Sequence, residues 1–171
     1  HWGGVTEDNS FGTHEFMELC EQLGTEAFIS GNIGSGSVAE MAQWVEYLTS
    51  ANESPMTALR RKNGRDEPWK VKFWGLGNEP WGCGGNMNAA QYADEMRRYS
   101  TYCIDFSGNQ MDRIACSSYG SDVTWTEELM SDAQNRRMFQ GLSIHLYTQV
   151  NGWGDRRSAT GFGEEDWFML I

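Results

Sequence analysis

Val71–Gly82 reads VKFWGLGNEPWG, an apolar, strand-like run (Val71, Phe73, Trp74, Leu76) that stops abruptly at Gly77-Asn78-Glu79-Pro80-Trp81. This sets a carboxylic acid at the C-terminal tip of a buried strand, with an amide beside it and an aromatic ring two residues on. In a parallel α/β barrel that tip is where chemistry is done. A Glu flanked by apolar and aromatic groups can have its pKa raised until it donates a proton near neutral pH. Asn78 can hydrogen-bond a sugar hydroxyl and Trp81 can stack on a sugar ring. The stretch therefore implies the general-acid site of a glycosidase. The plainer alternative is turn chemistry, since strand-to-loop turns carry Gly, Asn and Glu for their backbone alone. A buried strand, then Gly-Asn-Glu-Pro-Trp-Gly, then a helix favours the catalytic reading.

The elements around this strand alternate. Periodicity predicts a helix over 14–24, capped by Thr13 and stopped by Gly24, and a strand over 26–31. A helix follows over 37–50, with Val38, Met41, Trp44, Val45 and Leu48 in register. Residues 51–69 are polar, hold Pro55, Gly64 and Pro68, and read as an excursion between elements. After the strand at 70–77 come a helix over 89–106, a strand over 112–118, a helix over 123–134 and a strand over 141–147. The opening of another helix is expected at 164–171. Alternation of this kind predicts a parallel sheet with covering helices. A doubly wound sheet and a barrel both fit. The strand tips favour the barrel, because Asn32, Asn78-Glu79, Ser117-Ser118 and His145/Tyr147 all set polar groups at one rim.

At 171 residues the length suggests one domain, and a 39% hydrophobic content with eight Trp, eight Phe and six Tyr is enough for a core. The net charge of −11 argues against nucleic acid and anionic membranes as partners. No apolar run approaches the roughly 20 residues of a membrane helix. The four cysteines (Cys20, Cys83, Cys103, Cys116) lack paired spacing, so buried free thiols in a reducing, cytoplasmic compartment are expected, with secretion left open. Both ends look cut: the chain opens at His1 without a leader and closes on an apolar run, Trp167–Ile171.

Other motifs weigh less. Gly31-Asn32-Ile33-Gly34-Ser35-Gly36 suggests a phosphate cradle, but the glycine order is not that of a dinucleotide site and no Lys-Ser/Thr follows. A strand-to-helix loop needing glycine dihedrals fits better, with Asn32 placed to touch substrate. His14-Glu15 opens like a zinc helix but has Glu18 where the second His must stand, so no metal site is expected. His145 and Tyr147 share one face of their strand. Each could be a core residue, but with Glu79 at a nearby tip they are expected to line the same mouth.

Gly4–Leu23 (GVTEDNSFGTHEFMELCEQL), Gly31–Gly36, Ala39-Glu40-Met41, Trp44–Tyr47, Ser54-Pro55-Met56, Arg60–Lys70 (RRKNGRDEPWK), Gly75–Met87 and Leu142–Thr148 form a collinear string of long motifs over almost the whole chain. This string resembles the α-L-arabinofuranosidases of glycoside hydrolase family 51. The resemblance implies a (β/α)8 barrel with Glu79 as acid/base at the end of strand 4 and Asn78 as its substrate-binding neighbour. His145 and Tyr147 match the family's active-site pair after strand 6. Pro80 departs from the Asn or Met often found there. On this count residues 1–171 supply strands 3 to 6 of a catalytic domain truncated at both ends. The nucleophilic Glu is then absent, and the chain alone is inactive.

The implied activity is release of terminal α-L-arabinofuranosyl residues from oligosaccharides or polysaccharides by retaining double displacement. It needs no metal or organic cofactor, and the full-length enzyme is expected to be a homo-oligomer. An endo-β-glucanase on the same framework, a non-catalytic carbohydrate-binding barrel and a nucleotide-binding α/β domain stay as alternatives.

Overall fold

The computed structural model describes residue 6, residues 8–119 and residues 123–146. Its elements are α1 (Thr13–Leu23), β1 (Phe28–Gly31), α2 (Val38–Thr49), α3 (Pro55–Lys62), β2 (Phe73–Leu76), α4 (Ala89–Tyr102), β3 (Asp112–Tyr119), α5 (Thr124–Ser131), α6 (Ala133–Arg136) and β4 (Gly141–His145). Tyr147 and the helix expected over 164–171 lie outside the described residues.

Local chemistry sets most boundaries. α2 begins in a capping box: Glu40 N–H donates to Ser37 Oγ (3.2 Å), and Ser37 N–H to Glu40 Oε2 (2.7 Å). Asn88 and Gln91 make the same reciprocal pair at the start of α4 (2.9 and 3.0 Å). Met41, Val45 and Leu48 on α2, and Tyr92, Met96 and Tyr99 on α4, fall three or four apart and are all buried. α1 is stopped by Gly24 at φ 64°, whose left-handed turn lets Thr25 N–H reach Cys20 O at 3.1 Å. Its start differs from expectation. Gly12 is the cap, Glu15 Oε2 accepts from Gly12 N–H (2.8 Å), and Thr13 lies inside the helix.

Three further departures have physical causes. Residues 51–69 are not a bare excursion, because they contain α3. Ser54 Oγ accepts from Thr57 N–H (3.2 Å) and Pro55 takes the first helical turn, where its missing N–H costs nothing. The helix expected over 123–134 is broken at Asp132, whose extended backbone lets Oδ1 accept from Gln134 N–H (2.7 Å) and start α6. α4 ends at Tyr102, short of 106, so Cys103 caps it from a buried position.

The four strands are all parallel, in the order β1-β2-β3-β4. That order discriminates between the two candidate architectures. Right-handed crossovers that always advance one strand put every helix on the same face, whereas a doubly wound sheet reverses direction and covers both. The burial agrees. Ile29, Trp74, Leu76 and Ala115 are shut under the helices, while Phe28, on the opposite face, is 48% exposed. Register sets Phe28 beside Phe73, Ser30 beside Gly75, and Gly75 beside Ile114. This is the wall of a singly wound barrel, with its helix layer outside and a row of inward side chains.

Arg60 pins the helix layer. It is wholly buried, and its guanidinium donates to the carbonyls of Tyr47 (2.7 Å), Ser50 (2.9 Å) and Asp66 (2.9 Å). Two of these acceptors belong to the last turn and cap of α2, where the helix dipole favours a cation.

Candidate active site

β2 ends at Leu76, and the loop that follows is built from close backbone approaches. Gly77 turns at φ 89°, and Glu79 itself sits at φ 47°, a left-handed conformation that a branched or charged residue seldom adopts. Such local strain clusters at functional sites. The Glu79 carbonyl accepts from both Gly82 and Gly84 N–H groups (2.9 Å each), which curls the chain back over the Glu79 side chain. At Gly84 a Cβ would stand 1.8 Å from the Asn78 carbonyl oxygen, and at Gly34 one would stand 2.3 Å from the Gly84 carbonyl oxygen. Gly34 therefore serves backbone contact with the loop after β2, while Gly36 packs on Asn32 of its own loop and Gly31 on Met41. Gly31, Gly34 and Gly36 are not at positive φ, so the dihedral reason expected from sequence is corrected to close approach.

Within this loop the Glu79 carboxyl is held at both oxygens. His145 Nδ1, at the end of β4, lies 2.9 Å from Oε1, and Cys83 Sγ lies 3.4 Å from Oε2. Both the Glu79 and His145 side chains are mostly buried, at 18% and 21% exposure. β2 and β4 are not neighbours in the sheet, so this contact crosses the tip of β3. Trp81 makes the crossing firm. Its indole N–H donates to Ser117 O on β3 (3.1 Å), and its ring meets His145 edge-on at 6.0 Å between centroids.

Beneath the loop, the buried Tyr92 hydroxyl donates to Leu76 O and accepts from Cys116 N–H, at 2.6 Å each. Burial drives this phenol far above its ordinary pKa, so it stays a neutral bridge between the tips of β2 and β3.

Of the residues expected at the rim, the structure brings together Glu79, His145 and Trp81. Asn78 is exposed beside them. Asn32 is at the neighbouring tip, but its amide turns onto its own loop, donating to Ser35 Oγ (2.9 Å) and accepting from Ser35 N–H (3.0 Å). Ser117 and Ser118 do not face the rim as expected. Both are buried, and their hydroxyls meet Thr126 Oγ1 on α5. Tyr147 lies outside the described residues. All four cysteines are free, and Cys83 alone among them is exposed. His14 sits in α1 with Nε2 2.5 Å from Tyr47 Oη, at a cleft of about 720 Å³ among the helices. Among the described residues no group of three His, Cys, Asp or Glu could hold a metal.

Cys83 and Tyr92 escaped the sequence reading. The only signals were that Cys83 follows Glu79 by four residues in a glycine-rich turn, and that a hydroxyl sits among the apolar positions of α4.

Residues 1–160 match the family model described as the α-L-arabinofuranosidase 1 domain. The chain belongs to the α-L-arabinofuranosidases of glycoside hydrolase family 51. It is 55% identical, over its whole length, to a protein of Bacteroides ovatus named intracellular exo-α-L-arabinofuranosidase, of which it covers 33%. The crystal structure of the family 51 arabinofuranosidase from Xanthomonas axonopodis pv. citri superposes with a TM-score of 0.89 at 47% identity, covering 99% of this chain and 34% of that one. The arabinose complex of the Thermotoga maritima α-L-arabinofuranosidase gives 0.75 at 34% identity, covering 85% and 30%.

The chain thus spans about a third of the length of these family members, and its four-stranded unit is part of their (β/α)8 barrel. The endo-β-glucanase, non-catalytic and nucleotide-binding alternatives gain no support from relatives so named. Among the described residues no helix is long and apolar enough to cross a membrane.

Proposed function

We propose that Glu79 is the general acid/base of a retaining α-L-arabinofuranosidase that acts on terminal arabinofuranosyl groups of oligosaccharides or polysaccharides. The observation that carries this is the carboxyl at the C-terminal rim of a parallel barrel wall, held at 2.9 Å by His145 beneath the edge of Trp81. Support comes from the 55% identity to a protein named an exo-α-L-arabinofuranosidase.

In the first step protonated Glu79 gives its proton to the departing glycosidic oxygen. A second carboxylate, supplied by the part of the enzyme this chain does not span, bonds to the anomeric carbon. In the second step Glu79, now a carboxylate, takes a proton from water as that water displaces the second carboxylate. Retention needs the two carboxyl groups about 5–5.5 Å apart. His145 orients the carboxyl through Oε1. Asn78, exposed at the mouth, hydrogen-bonds a sugar hydroxyl, and Trp81 walls one side. Tyr147 is a further sugar contact on this reading, and Asn32, its amide turned onto Ser35, offers the sugar its second amide hydrogen. The 171 residues alone would bind weakly and turn nothing over, because covalent catalysis cannot begin without the nucleophile. A cytoplasmic setting fits the free thiols and the word intracellular in the relative's name.

The test is Glu79→Ala in the whole enzyme. Hydrolysis of arabinosides with poor leaving groups should fall far more than that of activated phenyl arabinosides, which depart without protonation. Azide should restore part of the turnover by attacking the anomeric carbon in place of water in the second step, because an anionic nucleophile needs no base. Equal losses on both substrate types with no azide rescue would remove Glu79 from this role.

A further inference from the structure

We propose that Cys83 is a positioning residue for the acid/base carboxyl, its S–H donating to Glu79 Oε2 while His145 addresses Oε1. The inference rests on the reading of Glu79 as proton donor. The backbone alone explains how a residue four places on returns to the carboxyl. Glu79 at φ 47° reverses the chain, and its carbonyl collects the N–H groups of Gly82 and Gly84, which flank Cys83 on both sides. Gly84 lies so close to the Asn78 carbonyl that no side chain fits there. Closed in this way, the loop sets Sγ at 3.4 Å from Oε2, within range of a sulfur hydrogen bond. With a partner on each oxygen, the carboxyl plane cannot rotate freely about its own axis. A proton donor must hold its acidic oxygen within about 2.6–3.2 Å of the departing oxygen, so fixing that plane serves the transfer directly.

The titratable groups set against Glu79 among the described residues are Cys83 from its own turn, His145 from β4 and Cys116 from β3. The Cys116 thiol faces the Glu79 backbone. The contact leaves a mark on the thiol. Hydrogen bonding to Glu79 holds the Cys83 thiol above its ordinary pKa, with desolvation and the carboxylate charge adding to the effect. An exposed cysteine beside a carboxylate is thus kept in its protonated, donating and weakly nucleophilic form. The other three thiols are buried.

Two measurements on the whole enzyme test the proposal. The first reads the contact and not the catalysis: the rate of Cys83 alkylation by N-ethylmaleimide at neutral pH, followed by mass spectrometry of the peptide that holds it. Glu79→Ala removes the acceptor and should speed alkylation by about threefold or more, because the hydrogen bond to Glu79 is the first cause that holds the thiol protonated and the rate follows the thiolate fraction. An unchanged rate would mean that thiol and carboxyl do not meet, and the proposal falls. The second reads positioning. Cys83→Ala should lower kcat on arabinosides with poor leaving groups by about threefold to tenfold, the value of one modest hydrogen bond. KM should hold, and activated phenyl arabinosides should lose less. Cys83→Ser, which keeps a donor, should recover most of the loss. Alanine and serine variants with equal kcat, or a loss equal on both substrate types, would overturn the positioning role. The Glu79 reading has its own test in the azide and leaving-group comparison, so failure of one is distinguishable from failure of the other.

Discussion

Tyr92→Phe offers a sharp test of how the Glu79 loop is mounted. The variant removes one oxygen atom and leaves the ring, which stacks on Trp125 at 5.6 Å between centroids, so no cavity opens. That oxygen serves two backbone groups. Asp112 N–H bonds Lys72 O at 2.7 Å, which fixes the phase of the β2–β3 ladder. Counting along from there makes Cys116 N–H and Leu76 C=O a facing pair, and the Tyr92 hydroxyl addresses both at 2.6 Å. Two hydrogen bonds at about 0.5–1.5 kcal/mol each give a loss of about 1–3 kcal/mol. The loss would be larger if the strand tips fail to close directly on each other, because each buried group left unpaired costs about 1–3 kcal/mol. The assay that localises the effect is hydrogen exchange of the whole enzyme, read on peptides spanning residues 114–118. A loss of about 1–2 kcal/mol at Cys116 N–H accelerates its exchange about fivefold to thirtyfold. Turnover should fall as well, since Leu76 lies three residues before Glu79. Unchanged protection at Cys116 together with unchanged kcat would refute the claim that this hydroxyl holds the loop.

Arg60→Met should destabilise the enzyme by about 3–5 kcal/mol, read as a lowered midpoint in denaturant, because two buried carbonyls and a part-buried one lose a charged donor. A variant as stable as the parent would mean that desolvating the guanidinium costs as much as its hydrogen bonds return. Gly84→Ala should cut turnover about a hundredfold or more while the far-ultraviolet spectrum holds. Its methyl would stand 1.8 Å from the Asn78 oxygen and force the Glu79 turn to be rebuilt, and displacements of that size in a site cost rates of this order. Near-parental turnover would show that the loop has room the structure does not record.

What was legible in the sequence was local. A buried apolar run ending in Asn-Glu announces a strand with a polar tip, and the helices with an apolar face (α1, α2, α4) announce themselves by their spacing. α3 was missed for a specific reason: its buried residues are Thr57 and Arg60, so it shows no hydrophobic period, and only Ser54-Pro55 marked its start. Asp132 broke a helix whose apolar pattern, Trp125 and Leu129, gave no warning, because its side chain competes for the backbone. The glycines at 34 and 84 answer to each other across fifty residues of chain, a contact no local pattern encodes. The same limit governs the candidate site. Every polar strand tip looked equally able to face the mouth. The structure turns Asn32 onto Ser35 and Ser117-Ser118 onto α5, and among the described residues it joins the polar side chains of Glu79 after β2 and His145 on β4. Those two strands do not touch, so the joining depends on the loop after β2 leaning across β3. Two residues make it lean: Glu79, by accepting a left-handed backbone, and Trp81, by hanging its indole from Ser117. The residue proposed to move the proton therefore also bends the chain that carries it. A substitution at Glu79 that keeps the charge but relaxes the backbone would be expected to lose its contact with His145 as well.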